Sequence, residues 1–358
     1  MLEKPDLAIY KQEVAQSFSN TGSTHFSLMD CVIEWKTPKN DKGCHPFSDA
    51  PTKQGQNESY AFELQRDASM ECRGQVGLYA RTLLARQHRT HCYVVYIGDP
   101  MVRFIRFDRE GAIVSASFNF RTQGSLLQEF FWRFANATDS VRGLDPTVTV
   151  ATEDEAATAK HHLQEWAPTG ERQVLKIEVT NEMMVDDDDS EEAKTMRRME
   201  KHHVFVWEAF VTPHSVTGRG TRGYPAWGPV LKRVVFLKDT WRSKAPRVEK
   251  ETDILKYLNT KEVRNIPKVL RGGDVQGDLQ TTLTSRYSNQ PWNRGAKLEG
   301  LNERQHNRFL MDKIGMSLYN FPSSKVFLTA IRDAFYGKRY TCFKAQYIIC
   351  LIVSICLF

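Results

Sequence analysis

The residues with the clearest chemical potential lie between positions 218 and 251. Gly218, Gly220 and Gly223 form a GxGxxG loop in the segment GRGTRG. Backbone without side chains can approach phosphate groups closely, so such a loop suits a nucleotide site. Lys238 ends the apolar run VVFL, and Glu251 opens the helix-like segment ETDILKYL. An ion pair between these two residues would hold the lysine against the phosphates of a nucleotide.

The elements around the loop distinguish two uses of this glycine spacing. In dinucleotide-binding folds the loop joins a strand to a helix. Here it joins two strand-like segments, HVFVWEAFV and VLKRVVFLK, as in the hairpin that covers the phosphates in protein kinases. Glu249 is the alternative acid for Lys238. The glycine loop alone also fits an ordinary turn, and the lysine and the glutamate alone fit ordinary surface residues. The prediction therefore depends on the order of loop, lysine and acid along the chain.

Several separated motifs resemble the fungal-type protein kinase family. They are GRGTRGY, VVFLKDTWR, KETDILKYL, DKIGMSLYNF and SSKVFLTAIRDAF, with LYARTLLARQHR and RFIRFDREGAIVS upstream. The resemblance implies that the glycine loop and Lys238 bind ATP with Mg²⁺, that Glu251 orients the lysine, and that a protein is the substrate of Ser/Thr phosphotransfer. It also implies that residues 312–318 form the hinge beside the adenine and that residues 323–335 form the first helix of the large lobe.

The resemblance stops before the catalytic loop. Kinases take the catalytic base from an HRD-type loop and metal ligands from that loop and a DFG-type motif. Neither motif occurs after Phe335. We therefore expect a truncated or pseudokinase-like member that at most binds ATP.

A second constellation lies near the N-terminus. Asp6 follows a proline at the start of an apolar strand, and Glu34 and Lys36 close the strand-like segment FSLMDCVIEWK. This arrangement resembles the PD-(D/E)xK motif of restriction-endonuclease-like folds, which implies Mg²⁺ bound by Asp6 and Glu34. Gln75 and Tyr79, one turn apart on the next predicted helix, resemble some relatives of that fold. The alternative places Asp6 at a strand cap and puts Glu34 and Lys36 on the exposed face of an edge strand.

This second constellation keeps two further functions open. One is a Mg²⁺-dependent nuclease or nucleic-acid-binding module, and the other is a non-catalytic interaction module. If the N-terminal unit binds nucleic acid, arginines would contact the phosphates. The candidates are Arg81, Arg86, Arg89, Arg103 and Arg106.

The pattern of apolar segments predicts an α+β protein. Alternating strand-like runs and two helix-like runs precede residue 135, and strand character returns near residue 200. We predict four parts: a restriction-endonuclease-like domain (1–135), a loose region with an acidic linker (136–200), a kinase-like small lobe with hinge and first large-lobe helix (201–340), and an apolar tail of unclear origin (341–358).

Composition gives weaker indications. The 358 residues are 41% hydrophobic and 26% charged, with a net charge of +6 spread over interspersed acids and bases, so charge alone identifies no partner. The N-terminus has no apolar signal region, and the seven cysteines have no metal-finger spacing. We expect an intracellular protein, cytoplasmic or nuclear and not secreted. Membrane association is not expected unless the tail inserts, and that tail is shorter than the ~20 residues of a spanning helix.

Overall fold

The computed structural model describes residues 4–18, 24–37, 45–49, 61–182, 200–288, 290, 301–317, 321–345 and 356–357. The architecture is mixed α+β, with two large sheets and helices packed on them. The helices in these ranges are α1 (Gln12–Phe18), α2 (Asp67–Arg86), α3 (Gly124–Asn136), α4 (Glu153–His162), α5 (Glu251–Thr260) and α6 (Ser324–Ala345).

The first sheet is mixed and has the strand order β1-β2-β3-β4-β5, with β6 also paired to β4. Strands β2 and β3 are parallel, because α2 carries the chain across the sheet between them, and the other pairs are antiparallel. The strands are β1 (Leu7–Tyr10), β2 (Met29–Lys36), β3 (His91–Gly98), β4 (Met101–Asp108), β5 (Ala112–Val114) and β6 (Phe118–Asn119).

Helices cover both faces of this sheet. On one face α2 buries Val76, Leu83 and Leu84 against the strands, a spacing that puts apolar side chains on one side of a helix. On the other face α3 packs Phe130 and Phe134 against the sheet. The mixed sheet with packed helices agrees with the sequence analysis.

The second sheet is antiparallel, with the strand order β12-β13-β11-β10-β9-β8-β7. Glu182 N, just after β8, donates to Gly272 O in β12 at 3.3 Å, so the sheet curves back on itself around an apolar core. The strands are β7 (Val148–Val150), β8 (Leu175–Asn181), β9 (Glu200–Val206), β10 (Arg222–Gly228), β11 (Arg233–Ser243), β12 (Val269–Asp274) and β13 (Arg304–Met311).

The region 136–200 is not loose in its described part. It contributes β7, α4 and β8, and β7 and β8 extend the second sheet. Helix α4 begins in a capping box, in which the Thr152 side chain accepts from Glu155 N and the Glu155 side chain accepts from Thr152 N. The acidic run at residues 186–192 lies outside the described residues.

A buried charge network ties the second sheet to the segment that follows α3. Arg308 on β13 is fully buried and donates to Asp239 on β11 at 3.0 Å and to Asp145, which follows α3, at 2.6 Å. Although burial opposes the charged form, His306 and Arg308 hold the pKa of Asp239 well below its ordinary value. The second sheet is therefore held by buried charges to the chain segment that connects it to the first sheet.

Little of the apolar tail belongs to the described residues. Its Cys356–Leu357 pair forms β15 beside β14 (Met316–Ser317). Among the helices of the described ranges, none is both long and apolar enough to cross a bilayer. Cys31 and Cys92 are buried free thiols, whereas Cys72 is disulfide-bonded. The intracellular location stays a prediction.

Candidate functional site

The structure brings Lys238 and Glu251 together. Lys238 Nζ lies 2.6 Å from Glu251 Oε1, and it also lies 5.6 Å from the ring centre of Phe309 on the neighbouring strand. Lys238 extends from β11 toward the sheet face that α5 covers, and Glu251 is the first residue of α5. The alternative acid, Glu249, precedes the helix.

The glycine loop follows a strand and leads into a strand, as predicted, but that second strand is β10, which begins at Arg222 inside the motif, whereas VLKRVVFLK contributes β11. Local packing and backbone conformation explain its glycines. Gly218 and Gly220 have φ values of +100° and +52°, which side-chain-bearing residues rarely adopt. Gly223 lies opposite Lys238 in the β10–β11 pairing, and a Cβ there would lie 2.6 Å from the ring of Phe236. Close packing and backbone conformation thus require glycine at these positions, whether or not a phosphate binds.

Apolar side chains fill the sheet face next to Lys238. Phe236 and Phe309 pack with Leu255 of α5 and with Met311. Two cavities, of about 230 and 560 Å³, have linings that include neither Lys238 nor the glycine loop. A nucleotide at Lys238 would lie beside the ion pair and outside these two cavities.

The predicted hinge and large-lobe helix follow β13. Asp312 N donates to Lys268 O at 3.1 Å, and the Asp312 carboxylate accepts from Lys268 N at 2.7 Å. Leu318, at the end of the predicted hinge, lies outside the described residues. The predicted helix is present in α6, where Asp333 O accepts from the Asn265 side chain at 3.2 Å.

The second constellation also converges. Lys36 Nζ lies 2.6 Å from Glu34 Oε1, and the Asp6 carboxylate accepts from Trp35 N at 2.8 Å. The Gln75 side chain donates to the Tyr79 hydroxyl at 3.0 Å. The exposed edge-strand alternative is wrong, because β2 lies between β1 and β3 and Glu34 is only 1% exposed.

Burial controls the ionisation of this group. Burial raises the pKa of Glu34 above its ordinary value, and the Lys36 charge opposes that shift. Burial and the Glu34 charge together raise the pKa of Tyr79 to about 12. Among the described atoms, neither Glu34 oxygen has a partner in full hydrogen-bond geometry. The carboxylate is thus a buried charge that the ion pair satisfies only in part.

Comparison with known proteins identifies the family. The model of the fungal protein kinase family matches residues 57–349. The chain belongs to the fungal protein kinase family. No curated protein and no solved structure matches it. The family match includes most of the first sheet as well as the whole second sheet.

Two of the arginines proposed as phosphate contacts are buried in this fungal protein kinase family member. Arg89 donates to Asp30 and to Met29 O, and Arg103 pairs with Asp49 at 2.9 Å. Arg106 pairs with Asp108 at 2.9 Å. These three arginines are used inside the fold, because the strand and helix ends that carry them leave acids and carbonyls in need of donors.

Sequence reasoning missed Arg109, which contacts the glycine loop. It lies in the turn between β4 and β5, and its side chain is 2% exposed. A charged turn in DREG normally indicates a solvent-exposed loop. No periodicity or spacing in the sequence links residue 109 to residue 218.

Proposed function

We propose that this fungal protein kinase family member binds ATP beside Lys238. The Lys238–Glu251 ion pair, at 2.6 Å, is the observation that supports this proposal most directly. A lysine held in one place by an acid offers a fixed positive charge to the α- and β-phosphates. The glycine loop connects the two preceding strands, and Gly223 lies directly opposite the lysine.

We further propose binding without phosphotransfer by these 358 residues. They contain no HRD-type and no DFG-type motif. Within the described ranges, no group of three or more His, Cys, Asp or Glu side chains is arranged to hold a metal ion. Lys238 suits a phosphate, but no carboxylate cluster beside it suits Mg²⁺, so the metal would arrive with the nucleotide.

Thermal unfolding with and without Mg²⁺–ATP tests the proposal. A ligand that binds the native state raises Tm, and ATP at ten times Kd adds ~1.4 kcal/mol, or about 2 °C for a chain of this size. The shift should disappear in Lys238→Met. Lys176→Met is the matched control, because Lys176 pairs with Glu155 at the same 2.6 Å on another part of the sheet. No shift at millimolar ATP in the unmodified chain would contradict the proposal.

A second candidate is Mg²⁺-dependent cleavage of nucleic acid at Glu34. The observation that favours it is the buried Glu34 carboxylate, which lacks hydrogen bonds of full geometry among the described atoms. Proteins often bind Mg²⁺ through one or two carboxylates and several waters, so Asp6 and Glu34 fit that number. Lys36, beside Glu34, would orient the phosphate.

Cleavage of labelled DNA and RNA, with Mg²⁺ or with a chelator, tests this candidate. Glu34→Gln should abolish Mg²⁺-dependent cleavage, whereas Glu129→Gln, at an exposed pair on α3, should not. Absence of Mg²⁺-dependent cleavage in the unmodified chain would remove the candidate. If ATP binding also failed, a non-catalytic interaction module would be the function left.

A further inference from the structure

The first sheet and the second sheet, each with its helices and loops, are called the first unit and the second unit. The turn between β4 and β5 of the first unit inserts three charged residues into the second unit. Asp108, Arg109 and Glu110 are 0%, 2% and 7% exposed. Charged side chains are rarely buried in this way unless each has a partner. Two different segments of the second unit supply the partners, and one of them leads into the glycine loop.

Arg109 makes hydrogen bonds to the segment that leads into the glycine loop. Its Nη1 donates to Ser215 O at 3.0 Å and to Val216 O at 3.2 Å. Its own carbonyl accepts from Gly218 N at 2.8 Å. A Cβ on Gly220 would lie 2.6 Å from Arg109 Nε, so the guanidinium packs directly against the loop. One side chain thus contacts the loop and the two residues that lead into it.

The acids on either side keep the turn in place. Asp108 accepts from Leu283 N and from the Thr284 hydroxyl, both at 2.9 Å. Glu110 accepts from the Thr282 hydroxyl at 2.9 Å. Arg109 is therefore anchored from both sides before it reaches the loop.

The first unit holds the loop from the sheet face opposite Lys238. Arg222, at the end of the glycine motif, lies opposite Asp239 in the β10–β11 pairing. Neighbouring strand residues point to opposite faces, so Asp239 and Lys238 face different sides. Both Arg222 and Arg109 donate to Leu84 O at the end of α2. The contact thus lies on the face of the sheet away from Lys238.

Burial of the Arg109 guanidinium carries a desolvation cost for the fold. Burial, followed by the charge of Arg222, lowers the pKa of Arg109 to about 9. The hydrogen bonds that its side chain makes within the described residues go to backbone carbonyls, not to carboxylates. A leucine-sized apolar residue would avoid the desolvation cost but could not hold these carbonyls.

We propose that Arg109 is a positioning residue that fixes the glycine loop for nucleotide binding. The proposal rests on ATP binding beside Lys238. A loop that is already ordered does not lose conformational entropy when the nucleotide binds, so its affinity is higher. The first unit would then act as a support for the nucleotide site through one buried guanidinium.

The test compares Arg109→Lys with Arg89→Lys in the full chain. Lysine keeps the charge but cannot reach three carbonyls. Arg89 is the matched control, because it is also buried in the first unit and bonds backbone carbonyls without touching the loop. Arg109→Lys should weaken ATP binding about tenfold and speed amide exchange at residues 215–221. Arg89→Lys should do neither.

A second variant covers the case in which Arg109→Lys fails to fold. Gly220→Ala disturbs the same contact from the loop side, and it should also weaken ATP binding and speed exchange. Where both fold, the loss of ATP affinity in the double variant should be smaller than the sum of the two single losses, because both changes disturb the contact between Arg109 and the loop.

Three outcomes would overturn the inference. Unchanged ATP affinity in both single variants would show that the contact is structural only. Tighter ATP binding would show that Arg109 restrains the loop in a closed state. An equal loss in Arg89→Lys would indicate general destabilisation. If the unmodified chain binds no ATP, the proposed function fails first and this inference falls with it.

Discussion

Two lysine–glutamate pairs of equal length lie in different settings. Lys238–Glu251 and Lys36–Glu34 both have an N–O distance of 2.6 Å. The two lysine side chains are similarly exposed, at 18% and 20%, but the Glu251 side chain is 42% exposed and that of Glu34 is 2% exposed. The first pair joins a strand to the start of a helix, and the second joins two residues on the same face of one strand.

The two pairs have equal N–O distances, but because their acids differ in exposure we expect them to differ in their contribution to stability. Water and salt screen an exposed pair, so it contributes little to stability and its lysine can exchange partners. A buried pair retains a strong interaction but carries a desolvation cost, and removal of one partner leaves an uncompensated charge. The Lys238 pair therefore suits exchange with a ligand, and the Lys36 pair couples its charge to folding.

The largest expected change in the free energy of unfolding is at the buried Lys36–Glu34 pair. Lys36→Met leaves Glu34 charged and buried, so we expect a loss of about 3 kcal/mol in the free energy of unfolding. Urea denaturation at pH 7 measures it. The double variant Lys36→Met with Glu34→Gln should recover most of that loss, because no unpaired charge remains. A small effect of Lys36→Met alone would show that water reaches Glu34.

The next effect is a pH dependence at Glu34. The folded pKa of Glu34 is raised above its ordinary value of 4.5. The charged form therefore destabilises the fold above the folded pKa, and this penalty disappears as pH falls to 4.5. Glu34→Gln should be more stable than the unmodified chain by about 1 kcal/mol at pH 8, and the difference should vanish near pH 4. A difference that grows on acidification would contradict the shift.

Short-range patterns predicted the Lys238–Glu251 pair, whereas contacts that depend on long-range packing were missed. Lys238 and Glu251 are thirteen positions apart, and the motif order brought them together correctly. Arg109 and Ser215 are 106 positions apart, and nothing local marks either residue. A contact of that kind depends on how two sheets dock, which strand and helix periodicity do not encode.

The region before residue 200 shows a missed local signal. Its acidic run at residues 186–192 indicated a linker, and the prediction of a loose region was extended to residues 148–181 as well. Thr152 followed by Glu155 is a capping-box pattern, a recognised helix start. The short strands β7 and β8 were harder to find, because they complete a sheet whose other strands come later in the chain.

The smallest expected change in the free energy of unfolding is at the Lys238–Glu251 pair, whose acid is exposed, and it bears directly on the nucleotide site. Lys238→Met should lower the free energy of unfolding by less than about 1 kcal/mol, because solvent screens the pair. High salt should reduce the effect further. Urea denaturation at two salt concentrations measures it, with Lys176→Met as control. A loss of about 3 kcal/mol would mean that Lys238 is desolvated and committed to Glu251, which would leave no lysine for a phosphate.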